Sequence, residues 1–199
     1  MAQSDTPPMN YTQALARLIE GNRRYVAMRQ QYPRQTLAHR QILLEGQRPF
    51  AAVLSCSDSR VPSELIFDQG LGDLFVVRIA GHVPSPLVLG SLEFAVHSLE
   101  VPLVMVVGHS QCGAVSAVIK GETMPGHIHR LTEVLQPAVD AVRTLPGDLL
   151  DNAIRESSRM TVGYLLEQSP ILRQAVEEDR IKVVPAYYSL KDGSVEVLP

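Results

Sequence analysis

Cys56, Asp58 and Arg60 stand close together in the stretch VLSCSDSRVP, Val53 to Pro62, and His109 and Cys112 stand three apart in VVGHSQCGAV. The chain of 199 residues has only two cysteines, and each lies in one of these stretches. A cysteine used only for packing needs no charged neighbours. Two thiolates and an imidazole are good zinc ligands. Three protein ligands with an open fourth position describe a catalytic zinc, whereas structural sites are closed by four. His109 and Cys112 at one turn can clamp an ion, and Cys56 brings a ligand from a distant loop. Asp58 is near enough to Cys56 to reach the same ion, and would close the tetrahedron if it did. Arg60 can instead hold that carboxylate through a two-pronged hydrogen bond. So held, Asp58 stands beside the ion and can orient a water there. Zinc brings the pKa of bound water from ~15.7 to about 7. Two thiolates donate more charge than imidazoles, so activity is expected to favour alkaline pH.

Such residues converge only if the chain folds to bring them together. FAAVLS (Phe50–Ser55), DLFVVRIA (Asp73–Ala80) and PLVMVVGH (Pro102–His109) read as buried strands. Helical patterns separate them, notably Pro86–Leu99 and the small-residue run after Cys112, stopped by Gly121. Strands apolar on both faces and alternating with helices argue a parallel sheet with helices over it. Both cysteines then lie just past the carboxyl ends of strands, where open α/β sheets bind ligands. Further helices are expected in LTEVLQPAVDAV, over Asn152–Gln168 and over Ile171–Glu178. RIKVVPAYYSL reads as a strand, and Pro185 favours an edge position for it. An Asp-Gly turn in KDGS then returns SVEVL as a hairpin partner. At the other end, Tyr11 to about Gln30 is amphipathic and needs a surface, either the body of the domain or another subunit. QILLEGQRP suggests a short helix stopped by Gly46. The lead SDTPPMN is polar and expected to be flexible.

Composition narrows the function. The chain is 45% hydrophobic and 20% charged with a net charge of -3, ordinary for a soluble globular domain. There is no basic stripe with interleaved aromatics, so no nucleic-acid partner is expected. No apolar run approaches the ~20 residues that span a bilayer, and no signal pattern opens the chain, so a cytoplasmic location is expected. A disulfide framework needs more than two cysteines, and a thiol redox site would want a Cys-x-x-Cys pair, which is absent.

Cys56-Ser-Asp58-Ser-Arg60 followed by His109-Ser-Gln-Cys112-Gly113 resembles the β-class carbonic anhydrases. So do GNRRY (Gly21–Tyr25), RPFAAVLSCSDSRVPSELIFDQGLGDLFVVRIAG, GSLEFAV, LEVPLVMVVGHSQCGAV and EDRIKVVPAYYSLKDGSVEVL, which together cover nearly the whole chain. The resemblance implies an α/β fold: a central, mainly parallel sheet of about four strands with an antiparallel edge strand, flanked by helices. It implies one domain over 1–199, with a helical arm over 1–45 that embraces a partner subunit and a zinc-binding core over 46–199. A homodimer or higher homo-oligomer follows, a tetramer in many relatives. The implied activity is zinc-dependent reversible hydration of carbon dioxide to bicarbonate, with one zinc per subunit. Carbonyl sulfide or carbon disulfide hydrolysis is the alternative on the same site. By resemblance Cys56, His109 and Cys112 are the zinc ligands, and Asp58 and Arg60 form the catalytic dyad. Gln47, Phe75, Phe94 and Gly113 line the substrate, with Phe94 contributed across the dimer interface.

Some members bind inhibitory bicarbonate and carry a tryptophan three residues before the first cysteine. This chain has Val53 there and no tryptophan, although Arg78 and Tyr188 match other parts of that site. An open site without strong bicarbonate inhibition is therefore expected. His82 departs from the asparagine commoner at its position. His39 and His97 have no convergent partners, and His127 and His129 are read as sitting in a solvated loop and not as ligands.

Overall fold

Ala51–Ser55 (β1), Leu74–Arg78 (β2) and Leu103–His109 (β3) form the strands that the sequence pattern marks, each within a residue or two of the expected bounds. They belong to a computed structural model that describes residues 9–199, so most of the SDTPPMN lead lies outside the described residues. The sheet has five strands in the order β2-β1-β3-β4-β5, with β4 at Lys182–Tyr188 and β5 at Val195–Val197. The first four pair in parallel, and β5 runs antiparallel to β4. The chain leaves β1 for the neighbour on one side and later takes β3 on the other. The carboxyl ends of β1 and β3 thus flank the point where the winding reverses, the crevice where α/β sheets seat ligands.

Pro185 lies in the interior strand β4, opposite Val106, and not in an edge strand. Its own carbonyl accepts from Leu198 N at 2.9 Å, on the β5 side. The N–H and C=O of a strand residue point the same way, so the missing donor faces β5 and the ladder to β3 stays whole. Pro185 also falls just outside the three-residue pairing with β5, where no ladder bond is lost.

Each face of the sheet is covered. On one, Ala51, Val53, Met105 and Val107 meet Ala14 and Leu18 of α1 (Tyr11–Val26). On the other, Ala52, Leu54, Val104 and Val106 meet α4 (Pro86–Ser98) and α8 (Pro170–Glu177), with Leu165 of α7 (Leu149–Gln168). Full burial of a side chain such as Leu18 contributes about 1.5–3 kcal/mol. The amphipathic Tyr11 segment therefore finds its surface on the body of its own domain.

The GNRRY stretch fixes that docking. Gly21 backs onto the Phe67 carbonyl, where a Cβ would stand 1.8 Å from the oxygen. Asn22 donates to the carbonyls of Ile66 at 3.0 Å and Gly193 at 2.8 Å, and accepts from Val195 N at 2.9 Å. Arg24 pairs with the buried Asp68 at 2.6 Å.

A short helix, α2 (Leu37–Ile42), and a 3-10 turn at Leu43–Glu45 end at Gly46, whose φ of 141° suits glycine. The remaining helices are α3 (Ser63–Ile66), α5 (Gly113–Lys120) and α6 (Ile128–Val142); α5 stops at Gly121, left-handed at φ 65°. His127 lies in the exposed turn before α6, as expected, whereas His129 sits in the first turn of the helix and not in a loop. Among the described residues, no helix is long and apolar enough to cross a membrane.

Candidate metal centre

Cys56 directly follows β1, and Cys112 is the N-cap of α5, three residues after the end of β3 at His109. Parallel pairing of β1 with β3, Ser55 opposite Val107, sets the two strand ends side by side. The sulfurs of Cys56 and Cys112 and a ring nitrogen of His109 lie within 4.8 Å of one another, and all three residues are buried. His109 Nδ1 lies 2.9 Å from the Ser110 carbonyl, which can only accept, so Nδ1 carries the proton and Nε2 the lone pair. That Nε2 is buried with no hydrogen-bond partner. A buried acceptor without a partner is costly, and a metal ion would satisfy it. Donor set, spacing and orphaned nitrogen all fit zinc.

The thiols are tuned as ligands. Hydrogen bonding from the Cys112 thiol, with the backbone N–H groups of Asp58 and Gly81, holds Cys56 well below the ordinary thiol range against the opposing burial. The Cys56 thiolate, with burial, pushes Cys112 up, although the N–H groups of Val115 and Ala114 at the start of α5 oppose this. Ionisation of one sulfur thus opposes ionisation of the other. A divalent cation allows both to ionise.

Asp58 and Arg60 form a fork. Arg60 Nε donates to Oδ1 at 2.9 Å and Nη2 to Oδ2 at 2.7 Å, and the Arg60 backbone N–H adds a bond to Oδ1 at 2.9 Å. The guanidinium holds the Asp58 carboxyl far below the usual carboxylate range. Oδ2 nonetheless stands 3.9 Å from His109 Nε2, beside the cluster and tied to the arginine.

The other expected residues lie apart. Phe75 packs with Ala52 and Leu92, in a different cluster from Cys56 and Cys112. Its ring is 6.2 Å from that of Phe94 of the same chain, and Phe94 is 49% exposed. Gln47 is exposed, with no side-chain hydrogen bond among the described residues. Gly113 opens α5, with open space where a Cβ would sit.

Several groups support the site in ways the motifs do not disclose, the sequence marking Arg78 and Tyr188 only as matches to a bicarbonate site. Arg78 donates to the carbonyls of Cys56 at 3.0 Å and Asp58 at 2.6 Å, so its guanidinium braces the loop that carries both. Tyr188 Oη lies 3.3 Å from Tyr25 Oη. Ser110 Oγ accepts from Leu190 N at 2.8 Å, tying the turn after β3 to the end of β4. Gly81 N–H donates to Cys56 Sγ at 3.2 Å.

His82 is fully buried, with Nε2 at 2.8 Å from Ser157 Oγ and 3.4 Å from Ser158 Oγ, and with Nδ1 unpartnered. Ser158 spends its proton on the Ile154 carbonyl, so its oxygen accepts and Nε2 is the protonated nitrogen. Burial lowers the His82 pKa to about 4. The unfolded chain then binds a proton near pH 6.5 that the folded chain refuses until about pH 4. Stability contributed by neutral His82 is present above that window and falls as pH drops through it, by about 3 kcal/mol in full. His82→Asn, at ease with positive φ, should show a shallower fall. Urea unfolding at several pH values between neutral and 4.5 measures this, and identical pH slopes for the two proteins would refute it.

The comparisons agree with this geometry. Residues 51–195 match the family model described as carbonic anhydrase. Carbonic anhydrase 2 of Mycobacterium tuberculosis is 42% identical over 191 residues, covering 94% of this chain and 92% of its own. The Mycolicibacterium smegmatis carbonic anhydrase is 40% identical over 195 residues, covering 96% and 95%. Among solved structures, the β-carbonic anhydrase CcaA superposes with a TM-score of 0.73 at 28% identity, covering 93% of this chain and 95% of its own. A β-carbonic anhydrase of Sordaria macrospora described as tetrameric has the same fold, with a TM-score of 0.73 at 23% identity. With a carbonic anhydrase sequence along nearly its full length and a β-class fold around a Cys–His–Cys cluster, the chain belongs to the β-class carbonic anhydrases, a family of carbonate dehydratases.

Proposed function

We propose that this chain hydrates carbon dioxide reversibly to bicarbonate and a proton, using one zinc ion per subunit held by Cys56, His109 and Cys112. The observation that carries the reading is the buried triad with Asp58 beside it, fastened on both oxygens by Arg60. Zinc there would supply a Lewis acid that makes water a nucleophile near neutral pH. The protein supplies orientation. Asp58 Oδ2 faces the cluster and accepts a hydrogen bond from the attacking water, aiming its lone pair at the substrate carbon. Arg60 keeps the carboxylate ionised and tied to its own guanidinium, so that it would stand beside a bound ion and not serve as a ligand. The proton released passes to buffer.

Phe75 and Phe94, apart from the triad within one chain, would give the substrate an apolar wall where two subunits meet, which suits a neutral linear molecule. Gln47 and the Gly113 N–H offer hydrogen bonds to substrate oxygens, the latter at a helix N-terminus that favours an anion such as bicarbonate. Phe94 and Gln47 at the surface fit a pocket completed by a second subunit. Leu37, Ile42 and Leu44 are 62%, 68% and 85% exposed, and α2 buries none of its residues in the single chain. This favours a homodimer or larger assembly in which α2 and the turn after it, the part of the helical arm not seated on its own domain, contact the neighbour. Sedimentation at micromolar concentration should find no monomer; a monomer would overturn the assembly.

Carbon dioxide is distinguished from its sulfur analogues by rate. The zinc-loaded protein should hydrate carbon dioxide at least about a hundredfold faster, in kcat/KM, than it hydrolyses carbonyl sulfide, a gap of about 3 kcal/mol. The reverse ratio would reassign the substrate while leaving the zinc site intact.

A further inference from the structure

The Cys56 sulfur accepts two backbone N–H groups, from Asp58 at 3.4 Å and from Gly81 at 3.2 Å. Asp58 belongs to the same loop as Cys56. Gly81 comes from a separate segment, the 3-10 turn Ala80–His82 after β2. Its N–H meets the sulfur because Gly81 and His82 are both left-handed, at φ 68° and 46°. A bulky non-glycine residue persists in that region only when its surroundings over-determine it. His82 supplies that constraint. Its N–H returns to the Ile79 carbonyl at 2.9 Å, and its buried ring reaches Ser157 and Ser158 on α7. Gly81 is also hemmed in, since a Cβ there would stand 3.0 Å from Leu135 and 3.3 Å from Ala114.

We propose that His82 is a positioning residue: by anchoring the turn to Ser157 on α7, it holds the Gly81 N–H on the Cys56 sulfur and thereby sets how much charge that thiolate gives the metal. The inference rests on the zinc reading above. A hydrogen bond to a coordinating sulfur withdraws electron density from it and strengthens the metal as a Lewis acid. That correction matters most where two of the three protein ligands are thiolates. His82 touches no substrate and acts through Gly81.

The test uses full-length protein, titrated with zinc and separately loaded with cobalt(II). Wild type, His82→Ala and Ser157→Ala are compared, with Met160→Ala as a control on the same helix. His82→Ala should weaken zinc binding about 10- to 100-fold and displace the near-ultraviolet thiolate-to-cobalt charge-transfer band. Ser157→Ala should move both in the same direction by less, and decides the matter if His82→Ala does not fold. Met160→Ala should change thermal stability alone. Zinc affinities within twofold of wild type and an unmoved band in the folded variants would overturn the inference while the zinc reading stood. A wild-type chain that binds no zinc would overturn both.

Discussion

Cys112→Ser should lose zinc and activity together. Cys112 is fully buried, within 4.8 Å of the Cys56 and His109 ligand atoms, and caps α5. Serine keeps the size and can still cap a helix, so the fold should survive and circular dichroism should be unchanged. A neutral hydroxyl is a poor zinc ligand, and two remaining ligands do not make a stable site. Bound zinc should fall to a small fraction of an equivalent after dialysis. Carbon dioxide hydration should drop by at least about 10³-fold, or about 4 kcal/mol of transition-state stabilisation. Cys56→Ser should behave the same way, because it too removes one of the three ligands, from the loop just past the end of β1. Retained zinc with retained activity in either variant would mean that the metal is held elsewhere.

Asp58→Ala should separate metal binding from chemistry. The carboxylate is tied to Arg60 at 2.7 and 2.9 Å and is not needed to hold the ion, so zinc should remain bound in full. Without it the attacking water loses its aligned acceptor, and kcat should fall about 10²- to 10³-fold, the usual scale for a positioned acid–base group. Arg60→Lys should also lose activity, since one ammonium cannot span both carboxylate oxygens. Its Asp58 would be free to reach the metal, so zinc should stay or bind more tightly while turnover falls. An Asp58→Ala enzyme with unchanged kcat would remove the dyad from the mechanism.

How far the sequence discloses this molecule depends on what kind of constraint each residue obeys. β1 and β3 are legible because every residue in them is buried, so the apolar runs are unbroken and end where the ligands begin. The Cys56–Asp58–Arg60 and His109–Cys112 spacings are legible because local chemistry fixes them. Pro185 misleads because the propensity rule knows the missing donor but not which side it faces; a three-residue β5 makes an interior position harmless. The turn at Ala80–His82 is invisible for a related reason. Its purpose is a backbone N–H placed on a sulfur 25 positions earlier, and a serine pair 75 and 76 positions later that holds the ring. No periodicity encodes contacts at such separations. Arg78 stands out in the sequence only through the resemblance, as a match to part of a bicarbonate site, while its guanidinium is engaged by two carbonyls of the Cys56–Asp58 loop. The PGHIHR stretch reads as a loop, and His127 does lie in a turn, yet the helix begins at Ile128 and takes in His129.

The central claim is that a zinc-loaded chain turns over carbon dioxide. Stopped-flow hydration at about pH 8.5, on the alkaline side that thiolate ligation favours, tests it most directly. The account predicts a kcat/KM above about 10⁶ M⁻¹ s⁻¹. Hydration no faster than buffer alone, with one zinc measured per chain, would contradict it.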